Sequence, residues 1–228
     1  MLDREAAEKE KRFINWLSDS VGAVEKEKRK NLSLQTSSPP TWVFDLPEIK
    51  SWLDIDASDK AKILWLSGTT GFGKSVMAAY ITNELIYRFP SSAVAFFFCK
   101  DNDFLREPHN VMRTFAYQVT LNSPAARTSL SRAWEQQDEF QNLFDIEVDD
   151  LFHTLIVDSL LSISMPNVFF ILDGINECSQ ESQKGTLKFL ALLQTCHQLR
   201  ILVTSQPTPD LVRTLPPSTK LELREFNN

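Results

Sequence analysis

The chain has 228 residues, enough for one large domain or two small ones. Apolar residues make up 43% and charged residues 24%, which is ordinary for a globular protein. A net charge of −6 argues against a nucleic acid as partner, because phosphate backbones attract basic surfaces. No apolar run approaches the length of a membrane span, so we expect no membrane segment.

The N-terminus lacks the apolar stretch of a signal peptide, and the three cysteines form no C-x-x-C pair. Both features favour a cytoplasmic protein with reduced thiols. The three histidines lie apart from one another and from the cysteines, so the sequence indicates no zinc site.

Residues 1–40 are predicted to be a charged, helical N-terminal extension that ends in a linker. Phe13, Trp16 and Leu17 form a short apolar stripe at helical spacing within residues 1–18. The stripe either packs on the domain's own surface or docks a partner. Acids and bases alternate over residues 25–30, which is typical of a solvated helix face or a linker.

Four apolar residues at 63–66 predict a strand that is buried on both faces of a parallel sheet. A short helix beginning at Pro47 precedes it. Trp42 and Phe44 lie further upstream, where they either pack in the core or flank a nucleotide base.

The residues after this strand match the phosphate-binding pattern G-x-x-x-x-G-K-S/T. They are Gly68, Thr69, Thr70, Gly71, Phe72, Gly73, Lys74 and Ser75. A helix is predicted over 76–88, so the candidate nucleotide-binding segment runs on to Val76. The alternative is an accidental glycine-rich turn. The dinucleotide pattern G-x-G-x-x-G does not fit, because it requires a further glycine at position 76.

Backbone N–H groups and a helix N-terminus attract phosphate oxygens, and glycines allow the close approach. In this loop Lys74 would contact the β- and γ-phosphates, and the Ser75 hydroxyl would bind Mg²⁺. Phe72, Thr69 and Thr70 occupy variable positions of the pattern, and their side chains receive no role.

Strands and helices alternate along the rest of the chain, which predicts a parallel α/β sheet with right-handed crossovers. The predicted strands are 93–99, 168–172, 200–204 and 220–222, and the predicted helices are 108–121, 124–134, 148–163, 182–198 and 209–215.

Three polar residues follow buried strands: Asp173 and Glu177 are candidate catalytic residues together with Lys74 of the loop, and Gln206 is a candidate nucleotide-binding residue. Asp173 ends the strand at 168–172 on the ligand side of the sheet, where it would help to hold Mg²⁺ or would simply begin a turn. Glu177 is either a general base or a surface acid. Gln206 follows the strand at 200–204 and either senses the γ-phosphate or belongs to an ordinary turn.

Together these segments resemble a NACHT domain, the nucleotide switch of STAND and NLR-like signalling ATPases, and most closely the fungal members linked to heterokaryon incompatibility. The resemblance is carried by residues 65–75, 96–99, 113–118, 170–178 and 201–207, and it extends over about residues 40–225. It makes 41–228 the NACHT-like domain.

The resemblance implies a P-loop NTPase three-layer sandwich with a five-stranded parallel sheet of order 5-1-4-3-2. It also implies Mg²⁺ with ATP or GTP, and a change from a closed diphosphate form to an oligomeric triphosphate form. ATP is favoured, because the guanine-specific pattern N-K-x-D is absent. Family members continue into a winged helix and repeats, so we expect this chain to be a fragment or a truncated protein that is monomeric alone.

Two departures from the family pattern predict nucleotide binding with weak hydrolysis. Asn176 stands where the family usually has an acid, and Gln206 stands where it usually has arginine. Loss of one charged transition-state contact can cost several kcal/mol. Two other functions remain open at this stage: a small-molecule or nucleotide kinase, and a hydrolysis-deficient scaffold.

Overall fold

A computed structural model describes residues 2–34, 39–54, 62–101, 105–135, 150, 155–156, 167–194, 196 and 199–223. The helices are α1 Leu2–Ser18, α2 Val21–Ser33, α3 Pro47–Leu53, α4 Lys74–Arg88, α5 Pro108–Asn122, α6 Pro124–Glu135, α7 Gln180–Leu193 and α8 Pro209–Thr214. Short 3₁₀ helices span Thr41–Asp45 and Ile175–Glu177. The strands are β1 Ile63–Ser67, β2 Ala93–Phe98, β3 Val168–Asp173, β4 Leu199–Ser205 and β5 Ser218–Glu222.

The strands form one sheet in the order β2-β3-β4-β1-β5, and every neighbouring pair is parallel. Read from the other edge, this is the predicted order 5-1-4-3-2. The strand that follows α7 therefore lies between the strand that precedes the glycine-rich loop and the strand that ends in Asp173. All the residues of β1 to β4 are buried, as the continuous apolar runs predicted.

Helices cover both faces of the sheet, and two adjacent phenylalanines of β3 show how. Phe170 stacks on Phe115 of α5 with ring centroids 4.5 Å apart. Phe169 points to the opposite face, where the Trp52 and Phe89 rings lie 5.8 and 5.2 Å away. Because successive side chains of a strand alternate between faces, one strand packs both helical layers. The predicted three-layer sandwich is confirmed.

The two N-terminal helices pack on the rest of the domain. α1 contacts α5 and α6, whereas α2 contacts α4 and the edge strand β2. Phe13 and Leu17 are buried in the common core, so the apolar stripe packs on the domain's own surface. At the bend between these helices, the Ser20 and Thr114 hydroxyls are hydrogen-bonded at 2.5 Å. The Lys28 ammonium of α2 lies 4.2 Å from the centre of the Phe96 ring of β2.

Three predicted helix ends are wrong, and one of them is the start of α7, which lies at Gln180 and not at residue 182. α4 begins at Lys74, two residues before the predicted start, because the Gly73 carbonyl already accepts a hydrogen bond from the Met77 N–H. α7 ends at Leu193 and not at residue 198. The chain turns at this point, because the Cys196 N–H donates to the Leu193 carbonyl and β4 already begins at Leu199. The Lys62 ammonium donates to the carbonyl oxygens of Gln194 and Cys196 just beyond the helix.

The two upstream aromatic residues have different environments. Phe44 is buried between Tyr80 and the Arg88 guanidinium, whereas Trp42 is 39% exposed. Core packing is therefore the role of Phe44 and not of Trp42. The helix predicted over 148–163 falls almost entirely outside the described residues. None of the helices in the described part of the chain has the length and apolar character needed to cross a bilayer.

Candidate functional site

The loop between β1 and α4 takes its shape from two glycines with left-handed backbone conformations. Gly71 has a φ of +87° and Gly73 a φ of +75°. A Cβ at either position would meet no atom within 4 Å, so the backbone conformation and not the available space requires glycine there. Gly68 is different, because a Cβ there would lie 3.0 Å from the Leu223 carbonyl oxygen. The loop is thus packed closely against the end of β5.

The first turn of α4 presents unpaired backbone donors to this loop. The first N–H groups of any helix lack partners within the helix, and the N-cap residue here is Gly73, which has no side chain that could cap them. The partial positive charge of the helix terminus adds to these donors. Lys74 and Ser75 are the first two residues of α4. The residues predicted to bind phosphate therefore surround a site that suits an anion.

The side chain of Lys74 is held against the loop by a backbone carbonyl group of the loop. Its ammonium donates a 2.7 Å hydrogen bond to the Thr69 carbonyl oxygen. Burial lowers the pKa of Lys74, and the nearby carboxylates of Asp173 and Glu177 oppose that shift. The ammonium therefore lies within the electrostatic reach of both predicted acids.

Asp173 is completely buried at the carboxyl end of β3. Its Oδ1 accepts a 2.5 Å hydrogen bond from the Thr204 hydroxyl of β4, whereas Oδ2 has no donor of good geometry among the described residues. Burial raises the pKa of Asp173, and the Thr204 and Ser75 hydroxyls and the Lys100 ammonium partly offset this rise. An unpaired buried carboxylate oxygen is costly unless another group satisfies it.

The two predicted metal-binding residues fit a magnesium ion. Among the described residues, Oδ2 of Asp173 is buried without a hydrogen-bond donor of good geometry, and the Ser75 hydroxyl lies close enough to lower the pKa of the Asp173 carboxyl. Both are hard oxygen donors, which Mg²⁺ prefers, and Mg²⁺ is commonly held by one or two protein oxygens together with substrate phosphates.

Glu177 ends the 3₁₀ helix that follows Gly174, whose φ is +76°. Its carboxylate faces the Lys100 ammonium, with Nζ 3.3 Å from Oε2 and 3.5 Å from Oε1. Lys100 was not predicted to be a site residue. The signal was available, because Lys100 follows β2 just as Asp173 ends the neighbouring strand, and the ends of adjacent parallel strands lie side by side.

A second set of contacts joins the end of β4 to the loop. Gln206 donates through Nε2 to the Thr70 hydroxyl at 2.8 Å, and its backbone N–H donates to Asn176 Oδ1 at 2.9 Å. The two residues that depart from the family pattern are therefore hydrogen-bonded to each other, and one of them contacts the loop. The same end of β4 is also fixed through Ser205, the last residue of the strand, whose hydroxyl accepts from the Trp65 indole at 2.7 Å.

The loop contains one anchor that the sequence analysis did not assign. Phe72 is partly buried and packs against the hydrophobic core, so its side chain holds the loop to the domain. Thr69, Thr70 and Gly71 are exposed, and Val76 is partly buried in the first turn of α4. Sequence reasoning missed Phe72 because the phosphate-binding pattern leaves that position free.

Comparisons with known proteins show which proteins this chain is similar to. A vegetative incompatibility protein of Podospora anserina, HET-E-1, is 24% identical over 184 residues, which cover 78% of this chain and 13% of that protein. The chain thus spans only a small part of its relative's length. The match confirms the resemblance to NLR-like fungal incompatibility proteins.

Two solved structures are also similar, each with 13% sequence identity. PCH-2 of C. elegans gives a TM-score of 0.38, covering 91% of this chain and 42% of PCH-2. The ATP-binding subunit of an ABC transporter gives a TM-score of 0.39, covering 72% of this chain and 76% of the subunit.

The family model described as Nephrocystin 3, N-terminal, matches residues 40–206, a span that runs from the residue before the first 3₁₀ helix to Gln206. It takes in β1 to β4, the glycine-rich loop, Asp173 and Glu177. Since the match covers well over half of the chain, this protein is a member of the Nephrocystin 3, N-terminal family.

Proposed function

We propose that the chain is a nucleotide-binding switch domain of an NLR-like protein, which binds Mg²⁺ with ATP in preference to GTP and hydrolyses it weakly. The observation that carries the proposal is the convergence of three features. The loop takes its shape from glycines and leads into a helix whose N-cap residue, Gly73, has no side chain. The Lys74 ammonium bonds to that loop, and Oδ2 of Asp173, which has no donor of good geometry among the described residues, lies beside them.

The polar groups of the site have distinct tasks in this proposal. Backbone N–H groups at the start of α4 bind phosphate oxygens, and Lys74 exchanges the Thr69 carbonyl for the β- and γ-phosphates. Ser75 and Asp173 would hold Mg²⁺, which neutralises charge on the phosphate oxygens. Gln206 directly follows β4 and is hydrogen-bonded to Thr70 of the loop. A conformational change in the loop would therefore be transmitted to β4 through this bond.

Weak hydrolysis is expected from the two residues that depart from the family pattern. A carboxamide does not accept a proton at neutral pH, and Asn176 Oδ1 already accepts from the Gln206 N–H. Gln206 carries no charge to stabilise the transition state. In the longer protein we propose that nucleotide state sets conformation and oligomerisation, acting on effector and sensor domains outside this chain.

The test is thermal unfolding of the purified chain with Mg²⁺ and ATP, ADP, GTP or GDP, together with a turnover assay. A ligand at 100 times its Kd should raise the free energy of unfolding by about 2.7 kcal/mol. We expect adenine nucleotides to shift the free energy of unfolding more than guanine nucleotides do. The shift should vanish in Lys74→Ala and persist in Lys184→Ala, which removes an exposed lysine of α7. Turnover should stay well below ~1 per second, the low end of ordinary enzymes.

Two results would contradict this function. The first is the absence of any nucleotide-dependent shift in a protein shown by extraction to hold no nucleotide. The second is efficient turnover, which would contradict the roles given to Asn176 and Gln206. Transfer of phosphate to an added small molecule would instead favour a kinase.

A further inference from the structure

Lys100 occupies a fixed position beside the proposed catalytic acids. It is the second residue after β2, and its backbone N–H donates to the Leu105 carbonyl at 3.1 Å. The preceding Cys99 N–H donates to the Asp173 carbonyl at 2.8 Å, so the β2–β3 ladder continues up to this point. The backbone that carries Lys100 is thereby attached to the residue proposed to hold Mg²⁺.

The Glu177 carboxylate is turned back towards this lysine. Both of its oxygens lie within 3.5 Å of Lys100 Nζ. Gly174 makes room for this arrangement, because a Cβ there would approach Glu177 Oε1 and the Cys99 carbonyl oxygen to 3.3 Å. The side chains of Lys100 and Glu177 are 28% and 34% exposed.

A general base needs a free lone pair within hydrogen-bonding distance of the water that it deprotonates. When both oxygens of a carboxylate face one ammonium, the ion pair fixes the direction in which the carboxylate points. We therefore propose that Lys100 is a positioning residue that restrains Glu177, and that loss of their ion pair raises the rate of nucleotide hydrolysis. This inference rests on the proposed function.

The exposure of the pair suits a restraint that can be released. Ion pairs between partly exposed side chains contribute little free energy, since solvent screens them and two long side chains must be ordered. A modest rearrangement at the end of β3 is therefore enough to separate Lys100 from Glu177. A fully buried pair would be much harder to break, because each charge would be left without a partner.

Lys100 has a second electrostatic effect, which the experiment must distinguish from its effect on Glu177. Its charge favours the ionised form of Asp173, so its removal affects the proposed metal site as well as Glu177. Nucleotide affinity and turnover at saturation must therefore be measured independently. A purely structural role for Lys100 would lower stability or affinity, but it would not produce a gain in rate that depends on Glu177.

The experiment compares kcat for ATP and the Kd of a fluorescent ATP analogue in four proteins: wild type, Lys100→Met, Lys100→Arg and the double variant Lys100→Met with Glu177→Gln. We expect kcat to rise about five-fold in Lys100→Met, which corresponds to ~1 kcal/mol, the upper range for a partly exposed ion pair. The conservative Lys100→Arg should stay closer to wild type, because arginine keeps the pair. The double variant should lose the gain. Lys184→Met removes the same charge from an exposed position of α7 as a control.

Unchanged or lower kcat in a Lys100→Met protein that still binds nucleotide would overturn the inference, as would a gain that survives Glu177→Gln. Should Lys100→Met fail to fold, Lys100→Gln takes its place with the same expected results. A folded wild-type protein that binds no nucleotide would overturn the proposed function itself. That outcome appears in the Kd measurement before any rate is compared.

Discussion

In the part of the chain that the structure describes, Asp173 combines a buried carboxyl group with an oxygen that lacks a donor, which is costly for folding and suits its proposed role in binding. Thr204 satisfies Oδ1, but nothing in the described part of the chain satisfies Oδ2 with good geometry. Residues that bind ligands are often held in such unfavourable states, and their replacement then stabilises the protein at the expense of function. Asp173 is therefore the residue at which stability and nucleotide binding should change in opposite directions.

We expect Asp173→Asn to raise the free energy of unfolding at pH 7, without nucleotide, by about 1 kcal/mol, because the amide removes a buried charge. The pKa of Asp173 is raised by burial, so the folded state holds this proton more tightly than the unfolded chain. Wild-type stability therefore falls as the pH rises from the ordinary value of 3.8 through the higher folded pKa. The advantage of the variant should shrink as the pH is lowered towards 3.8.

Chemical denaturation across this pH range gives the measurement, and Asp45→Asn is the matched control because the Asp45 side chain is 82% exposed. The control should not change the pH dependence. Nucleotide-dependent stabilisation in the presence of Mg²⁺ should be lost in Asp173→Asn alone. A variant that is less stable than wild type at pH 7 would show that the Asp173 charge is satisfied within the folded chain.

At the scale of an element, the glycine-rich loop owes its shape to backbone conformation. Gly73 lies at a φ of +75° immediately before α4, and no atom would obstruct a side chain there. Gly22 offers a contrast within the same molecule. It lies inside α2 with open space around it and without a positive φ. Alanine at these two positions should therefore have effects of opposite sign.

We expect Gly73→Ala to lower the free energy of unfolding by about 1–2 kcal/mol, the cost of a left-handed conformation for a residue with a Cβ. Gly22→Ala should raise it by up to ~1 kcal/mol, because alanine favours the helix and restricts the unfolded chain. Urea unfolding of both variants measures the difference. Equal effects at the two positions would be inconsistent with the left-handed conformation of Gly73.

At the scale of the whole molecule, the N-terminal helices enclose the β2 edge of the sheet. α1 packs on α5 at one side of this edge, and α2 packs on α4 and β2 at the other. The Phe96 N–H of β2 is satisfied by Gln118 Oε1 at 2.7 Å. An uncovered edge rich in aromatic residues would invite pairing with other chains. We therefore propose that α1 and α2 fold together with the sheet.

Leu17→Ala tests this cooperation. Leu17 is completely buried on α1, so its truncation should cost about 2–4 kcal/mol and lower the unfolding transition of the whole chain. Leu34→Ala removes a leucine that is 62% exposed just after α2, and should change stability by less than about 0.5 kcal/mol. Far-ultraviolet circular dichroism and tryptophan fluorescence should report the same midpoint. A main transition that Leu17→Ala leaves unchanged would mean that α1 folds separately.

The sequence by itself determined the features that follow from local pattern. Apolar runs long enough for buried strands predicted β1 to β4, and glycine spacing predicted the loop and the helix behind it. Asp173 could be placed on the ligand side because it directly follows such a run. The strand order came from the resemblance and is confirmed by the pairing of β4 with both β1 and β3.

Only the tertiary structure decided the contacts between residues that are distant in the chain. The ion pair of Lys100 with Glu177 joins residues 77 positions apart, and the bond from Gln206 to Thr70 spans 136 positions. Side-chain partners at such separations depend on which strand ends become neighbours and on which way each side chain then turns. The bond from Lys62 to the Gln194 carbonyl, just beyond α7, is of the same kind and spans 132 positions. Local preferences thus fixed the elements, whereas packing between them fixed the polar network that surrounds the loop.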